Sequence, residues 1–184
     1  ALAKERKGKD LPFRSMMSLY QAMRNQERYA DALAAIKLVT QNGKDMEDYI
    51  KSELARAGMK VNRVTMVGNG TCELNVATPN DLLALAGLPI TSLSAGGSNI
   101  RDLSPLQGMP LTSLNVACTA VRDLSSLKEM PLRALCVSDG PISDLSPLRD
   151  CPLVSLTVHR TKVSDLTPLK NMPLKQLSIF DTAV

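Results

Sequence analysis

Leu111-Thr-Ser-Leu114-Asn-Val116-Ala-Cys-Thr119-Ala-Val121-Arg-Asp123-Leu124-Ser-Ser-Leu127-Lys-Glu-Met130 is one unit of a tandem array that fills the second half of this 184-residue chain. Pro89, Pro110, Pro131, Pro152 and Pro173 recur every 21 residues, as do Leu93, Leu114, Leu135, Leu156 and Leu177. Asp102, Asp123, Asp144 and Asp165 keep the same period, and so do Ile100, Val121, Ile142, Val163 and Val184. Alternation such as Leu156-Thr-Val158 reads as a short strand with one buried face. Too few residues remain in the period for a full return helix. Ser146-Pro147 and Thr167-Pro168 instead predict a tight helical turn, capped by the hydroxyl, with proline where its missing N–H is harmless. Leu103, Leu106, Met109 and their equivalents then point inward from the convex side. Cys151 shares the register of Met109, Met130 and Met172, so it is expected in the core.

Such a unit cannot bury its own apolar face and must stack on neighbours into a solenoid. Leu at L-x-x-L-x-L spacing within a period of 20–29 residues marks leucine-rich repeats. Leu111 to Val121 resembles the L-x-x-L-x-L-x-x-N-x-L segment of that family. The D-L-S-P-L form at Asp102–Leu106 and Asp144–Leu148, with D-L-T-P-L at Asp165–Leu169, is similar to bacterial repeats of the internalin type. It is closer still to repeats that follow kinase domains in planctomycete-like bacterial proteins. The resemblance covers about residues 64–184 and implies an interaction domain, in some relatives a module of a larger signalling chain. One departure stands out: Ser98, Thr119, Gly140, Thr161 and Thr182 replace the consensus asparagine. A hydroxyl ladder must then satisfy the turning backbone, and Gly140 supplies nothing. The expected fold is an α/β solenoid with short parallel strands on the concave face, 3-10 turns on the convex face and an α-helical N-terminal cap.

Three stretches organise the chain: 1–43, a charged lead and helical hairpin; 44–88, a cap helix, a hairpin and a degenerate first repeat; 89–184, the regular repeats. Helices are predicted at Ser15–Asn25, Glu27–Thr40 and Asp45–Ala57, with Asn42-Gly43 and Gly58 as stops. Lys60–Val67 and Thr71–Thr78 read as the first strands, joined by Gly68-Asn-Gly70. Asp81-Leu82, Leu85 and Leu88 lie 21 residues before Asp102-Leu103, Leu106 and Met109. At the far end Leu177, Ile179 and Val184 would line an open core layer. That predicts a fragment of a longer protein, with end-to-end self-association through the uncapped C-terminal repeat.

Residues 1–63 hold 13 Lys/Arg against 8 Asp/Glu, whereas residues 64–184 hold 9 against 10, so the net +4 belongs to the front segment. Lys4, Arg6, Lys7 and Lys9 have only Phe13 nearby and no reading motif follows, which argues against a nucleic-acid partner. No apolar stretch is long enough to span a membrane. Cys118 and Cys136 sit on neighbouring strands three register positions apart, about 10 Å, which is too far for a bridge. One histidine and no C-x-x-C give no reason to expect zinc or another cofactor. The Asp102/Asp123/Asp144/Asp165 ladder invites calcium, but without a second ligand column it reads as turn capping.

The concave face carries the candidate site. Its outward columns run Ser92, Ser113, Ala134, Ser155, Gln176; then Ser94, Asn115, Cys136, Thr157, Ser178. A third runs Gly96, Ala117, Ser138, His159, Phe180, and a fourth Gly97, Cys118, Asp139, Arg160, Asp181. Early repeats present small, weakly polar groups. Late repeats add aromatic and charged ones, the usual interface anchors. The binding set is therefore Asn115, Ser138, Asp139, Thr157, His159, Arg160, Ser178, Phe180 and Asp181, facing a protein partner. A hydrolase built on Ser138 and His159, with Asp139 or Asp181, is the remote alternative. It lacks an oxyanion hole and a water-excluding pocket, so no catalytic residues are assigned. A spacer or sensory segment of a kinase-linked protein is the nearer one.

Overall fold

The structure, a computed structural model, describes residues 43–67, 71–77, 79 and 82–184. The expected lead, the helices Ser15–Asn25 and Glu27–Thr40, the Gly68–Gly70 turn, Thr78 and Asp81 lie outside the described residues. The described residues run from a helix, α1 (Gly43–Arg56), into an antiparallel pair, β1 (Lys60–Val67) and β2 (Thr71–Ala77). Five further strands follow: β3 (Ile90–Ser94), β4 (Ser113–Asn115), β5 (Ala134–Cys136), β6 (Ser155–Thr157) and β7 (Gln176–Ser178). All seven form one sheet in chain order, parallel from β2 onward. Single 3-10 turns at Leu83–Leu85, Ser104–Leu106, Ser125–Leu127, Ser146–Leu148 and Thr167–Leu169 form the convex side.

The 21-residue period becomes a register in which Leu93, Leu114, Leu135, Leu156 and Leu177 lie side by side across the sheet. Leu93 through Leu156 are at most 3% exposed. Leu103, Leu106 and Met109 close each layer from the convex side, and Cys151 is buried in the Met109 register as expected. At β7, Leu177 is 43% and Val184 64% exposed, because no described layer packs beyond them.

At the opposite end α1 covers the first layer. Met46, Ile50 and Leu54, one helical turn apart, are fully buried, and the helix packs against β1 and the Leu83–Leu85 turn. Glu47–Lys51 and Glu53–Arg56 ion pairs line its solvent face. The helix begins two residues before the expected start and includes Gly43, which was expected to be a stop. It ends as expected at Gly58, whose φ of 71° suits a residue without a Cβ. The Gly58 N–H donates to the Ala55 carbonyl and the Met59 N–H to that of Leu54, the paired bonds of a Schellman stop.

The four convex turns from Ser104–Leu106 onward are capped from outside. The expected hydroxyl cap is corrected: no Ser or Thr side chain bonds the turn's orphan N–H groups. Instead the Asp102, Asp123, Asp144 and Asp165 carboxylates accept the N–H two residues on, each at 2.8 Å. The hydroxyls of Ser104, Ser146 and Thr167 donate to the second carboxylate oxygen. These bonds require the ionised acid. They hold Asp102 and Asp165 below the usual carboxylate range, the backbone N–H first and the hydroxyl second. At Asp123 the Ser125 hydroxyl contributes most.

The hydroxyl ladder that replaces asparagine does form. Ser98, Thr119, Thr161 and Thr182 each donate to the carbonyl three residues back, at 2.7–3.0 Å. Gly140 has no side chain to join it, and a Cβ there would stand 3.3 Å from the Thr119 carbonyl.

Candidate functional site

Pairing continues past the three-residue strands. The N–H groups of Ala95, Val116, Val137 and Val158 donate to carbonyls of the next repeat, as do those of Gly97, Cys118, Asp139 and Arg160. The third and fourth columns therefore stand in register, but on the turn that leaves the sheet rather than on the strands. The whole fourth column adopts the left-handed region: φ is 70° at Gly97, 56° at Cys118, 56° at Asp139, 48° at Arg160 and 56° at Asp181. Glycine and aspartate tolerate this conformation, whereas an ordinary side chain is disfavoured by about 1–2 kcal/mol. Arg160 and Cys118 carry that cost.

The late repeats bring several of the expected residues together. The His159 and Phe180 rings lie with centroids 3.7 Å apart, tilted by 34°. His159 Nε2 hydrogen-bonds the Ser178 hydroxyl on the next strand. Arg160 Nε donates to Asp139 Oδ1 on the preceding repeat. That contact holds the Asp139 carboxyl below its ordinary range and raises the Arg160 guanidinium. The exposed Asp181 adds a weaker electrostatic pull on Arg160. Phe180 remains 55% exposed, one of the few large apolar side chains among the described residues that open to solvent.

Other members of the expected set sit apart or turn away. Asn115 is half-buried, and its Oδ1 accepts the Ala117 N–H at 3.0 Å. Thr157 is half-buried beside Ser178. Ser138 needs a correction. It is 5% exposed, and its hydroxyl accepts the His159 backbone N–H at 3.1 Å. It therefore offers nothing to a partner. The imidazole is turned to Ser178 and Asp139 to Arg160, so the Ser138–His159–Asp arrangement does not assemble.

Sequence reasoning missed that the concave face extends over the cap hairpin. Arg63 pairs in register with Asn75 and Thr65 with Glu73, all exposed, and Asn62 donates to Asn75 Oδ1 at 3.0 Å. The burial alternation of β2 was the available signal, with Cys72, Leu74 and Val76 inward and Glu73 and Asn75 outward. The four cysteines are free thiols. Burial pushes Cys72 up to about 12 and raises Cys151, whose Sγ donates to the Leu127 carbonyl at 3.3 Å. Neither is a ready nucleophile or ligand.

No protein-family model and no curated relative matches the chain. Among solved structures it is similar to an internalin (inlF) of Listeria monocytogenes at 30% identity and TM-score 0.50, over 62% of this chain and 35% of that one. It also matches internalin C2 of the same organism at 30% identity and TM-score 0.46, over 55% of this chain and 44% of that one. The chain thus spans less than half the length of either. No described helix is long and apolar enough to cross a membrane. With its 21-residue units, parallel register and convex 3-10 turns, this chain is a leucine-rich repeat protein of internalin-like fold.

Proposed function

We propose that the chain is a protein-binding module without catalysis of its own, and that it engages its partner through the late concave exit. The contact set is His159, Arg160 and Phe180, with Asp139, Ser178 and Asp181 around them. The observation that carries this reading is the assembled cluster. An exposed aromatic ring is backed by an imidazole, and beside it a guanidinium is locked to a carboxylate on a backbone that disfavours arginine. Side chains fixed in this way lose little freedom on association, which favours affinity from a small number of contacts. Strain kept at an exposed position, where the core gains nothing from it, fits a residue retained for recognition.

The test is affinity capture from extracts with immobilised wild type and His159→Ala/Arg160→Glu/Phe180→Ala, both first shown to be folded by circular dichroism. A partner held by wild type and lost by the triple variant is the expected result. Equal capture by both would move the weight to a spacer role. A serine-directed acylating probe should leave the protein unlabelled, and labelling at Ser138 or Ser178 would overturn the non-enzymatic reading.

A further inference from the structure

The repeat body is nearly neutral as a whole, yet its charges are sorted between its two edges. The limb leading from each 3-10 turn back to the next strand carries Lys128, Arg133, Arg149, Lys170 and Lys175, against Glu129 and Asp150. The limb leaving the sheet carries Asp102, Asp123, Asp139, Asp144, Asp165 and Asp181, against Arg101, Arg122, Arg160 and Lys162. Lys128, Arg149 and Lys170 occupy one position of the 21-residue unit, so they form a file along the solenoid axis at about one cation per strand spacing of ~4.8 Å. All five cations on the returning limb are exposed. Among the described residues only Lys128 of the five has an ion pair, with Glu129 at 3.5 Å. On the other edge Asp102, Asp123, Asp144 and Asp165 are engaged in turn capping and Asp139 with Arg160.

A cavity of about 480 Å³ opens on the same limb between two successive repeats. Arg149 and Lys170 stand at it against the single carboxylate of Asp150, and Cys151, Pro152, Pro168 and Met172 supply apolar walls beside the polar Thr167 and Asn171. Its size falls within the roughly 300–1,000 Å³ of clefts that hold organic groups. We infer that this basic edge is a second docking surface, separate from the concave patch, for an acidic extended segment of a partner protein. Carboxylates would follow the cation file, and one apolar side chain would enter the cavity between Arg149 and Lys170.

The occupant follows from what the edge has and lacks. Exposed cations in a row, with Arg149 and Lys170 outside any ion pair among the described residues, favour a chain of anions through their summed field. The apolar walls suit a peptide side chain and give a sulfated sugar nothing to fill them. Of the five aromatic residues in the chain, Phe180 alone belongs to the repeats, and it lies on the opposite limb. Among the described residues the basic edge therefore has no ring on which a nucleobase could stack.

Fluorescence anisotropy with a labelled synthetic peptide of alternating Glu and Leu tests the inference on the full chain. A Lys/Leu peptide, a single-stranded oligonucleotide and heparin serve as competitors. The acidic peptide should bind at low salt and weaken steeply as salt screens the contact. Arg149→Glu/Lys170→Glu should reduce its affinity by about tenfold or more, and the milder Arg149→Gln/Lys170→Gln by about threefold, with unchanged circular dichroism. The concave triple variant should bind it like wild type, which separates this surface from the proposed contact patch. Absence of binding at low salt, binding insensitive to both double variants, or preference for oligonucleotide or heparin would overturn the inference.

Discussion

Where the chain leaves β3 it has Gly96 and Gly97; where it leaves β6, three repeats on in the same sheet, it has His159 and Arg160. The backbone path is shared, since Gly97 and Arg160 both sit at positive φ and both donate to the third-column carbonyl of the next repeat. The surfaces differ. At the early exit a Cβ on Gly96 would stand 2.9 Å from the Ala117 carbonyl oxygen, so the site is closed to any larger residue. At the late exit an imidazole packs against a phenyl ring, and the adjacent guanidinium pairs with Asp139. Solenoid geometry thus fixes where a side chain starts, and local crowding with tolerance of strain decides whether one can be carried there.

If the comparison is sound, the two regions share one core and differ only at the exit. Leu93→Ala and Leu156→Ala should each destabilise the protein by about 2–5 kcal/mol, and by similar amounts, in urea unfolding followed by circular dichroism. A much smaller loss at Leu93 would show that the early layers are packed differently despite equal burial.

Gly96→Ser should cost about 1–3 kcal/mol, because a backbone oxygen has to yield to the new Cβ. Ala117→Ser, in the same column of the next repeat, should stay within about 0.5 kcal/mol. Equal losses at both positions would remove the crowding that distinguishes the early exit.

The smallest effects concern strain. Cys118→Asn should raise stability by about 0.5–1 kcal/mol, since asparagine tolerates the left-handed region better and Cys118 is exposed. Arg160→Asn should come out near zero, because the same relief is offset by an exposed ion pair worth about 0–1 kcal/mol. Partner capture should nevertheless fall with Arg160→Asn and hold with Cys118→Asn. Retained capture by both would separate strain at Arg160 from recognition.

Much of the architecture was legible because it repeats. One core-facing leucine per 21 residues announces a layer, and five such layers announce their stacking. The helix stop at Gly58 and the carboxylate caps could also be read, since both act within a few residues of chain. The hydroxyl cap on Ser-Pro was misread for a related reason. Serine and aspartate two residues apart both have the chemistry to cap, and the sequence does not rank them. The site was legible in membership more than in arrangement. His159, Arg160 and Phe180 were named from register, but Ser138 was placed on the open face when its hydroxyl is turned into the His159 backbone. The charge-sorted edges were hidden by a net charge taken over the whole repeat body.

Period, burial pattern and turn chemistry act locally or through strict repetition, so the sequence by itself determined the solenoid, the strand register and the capped convex turns. Which hydroxyl meets the imidazole, which carboxylate locks Arg160 and which cations remain unpaired depend on rotamers and distances between groups 19–21 residues apart. Those partners meet only when the repeats stack, so the tertiary structure decided them.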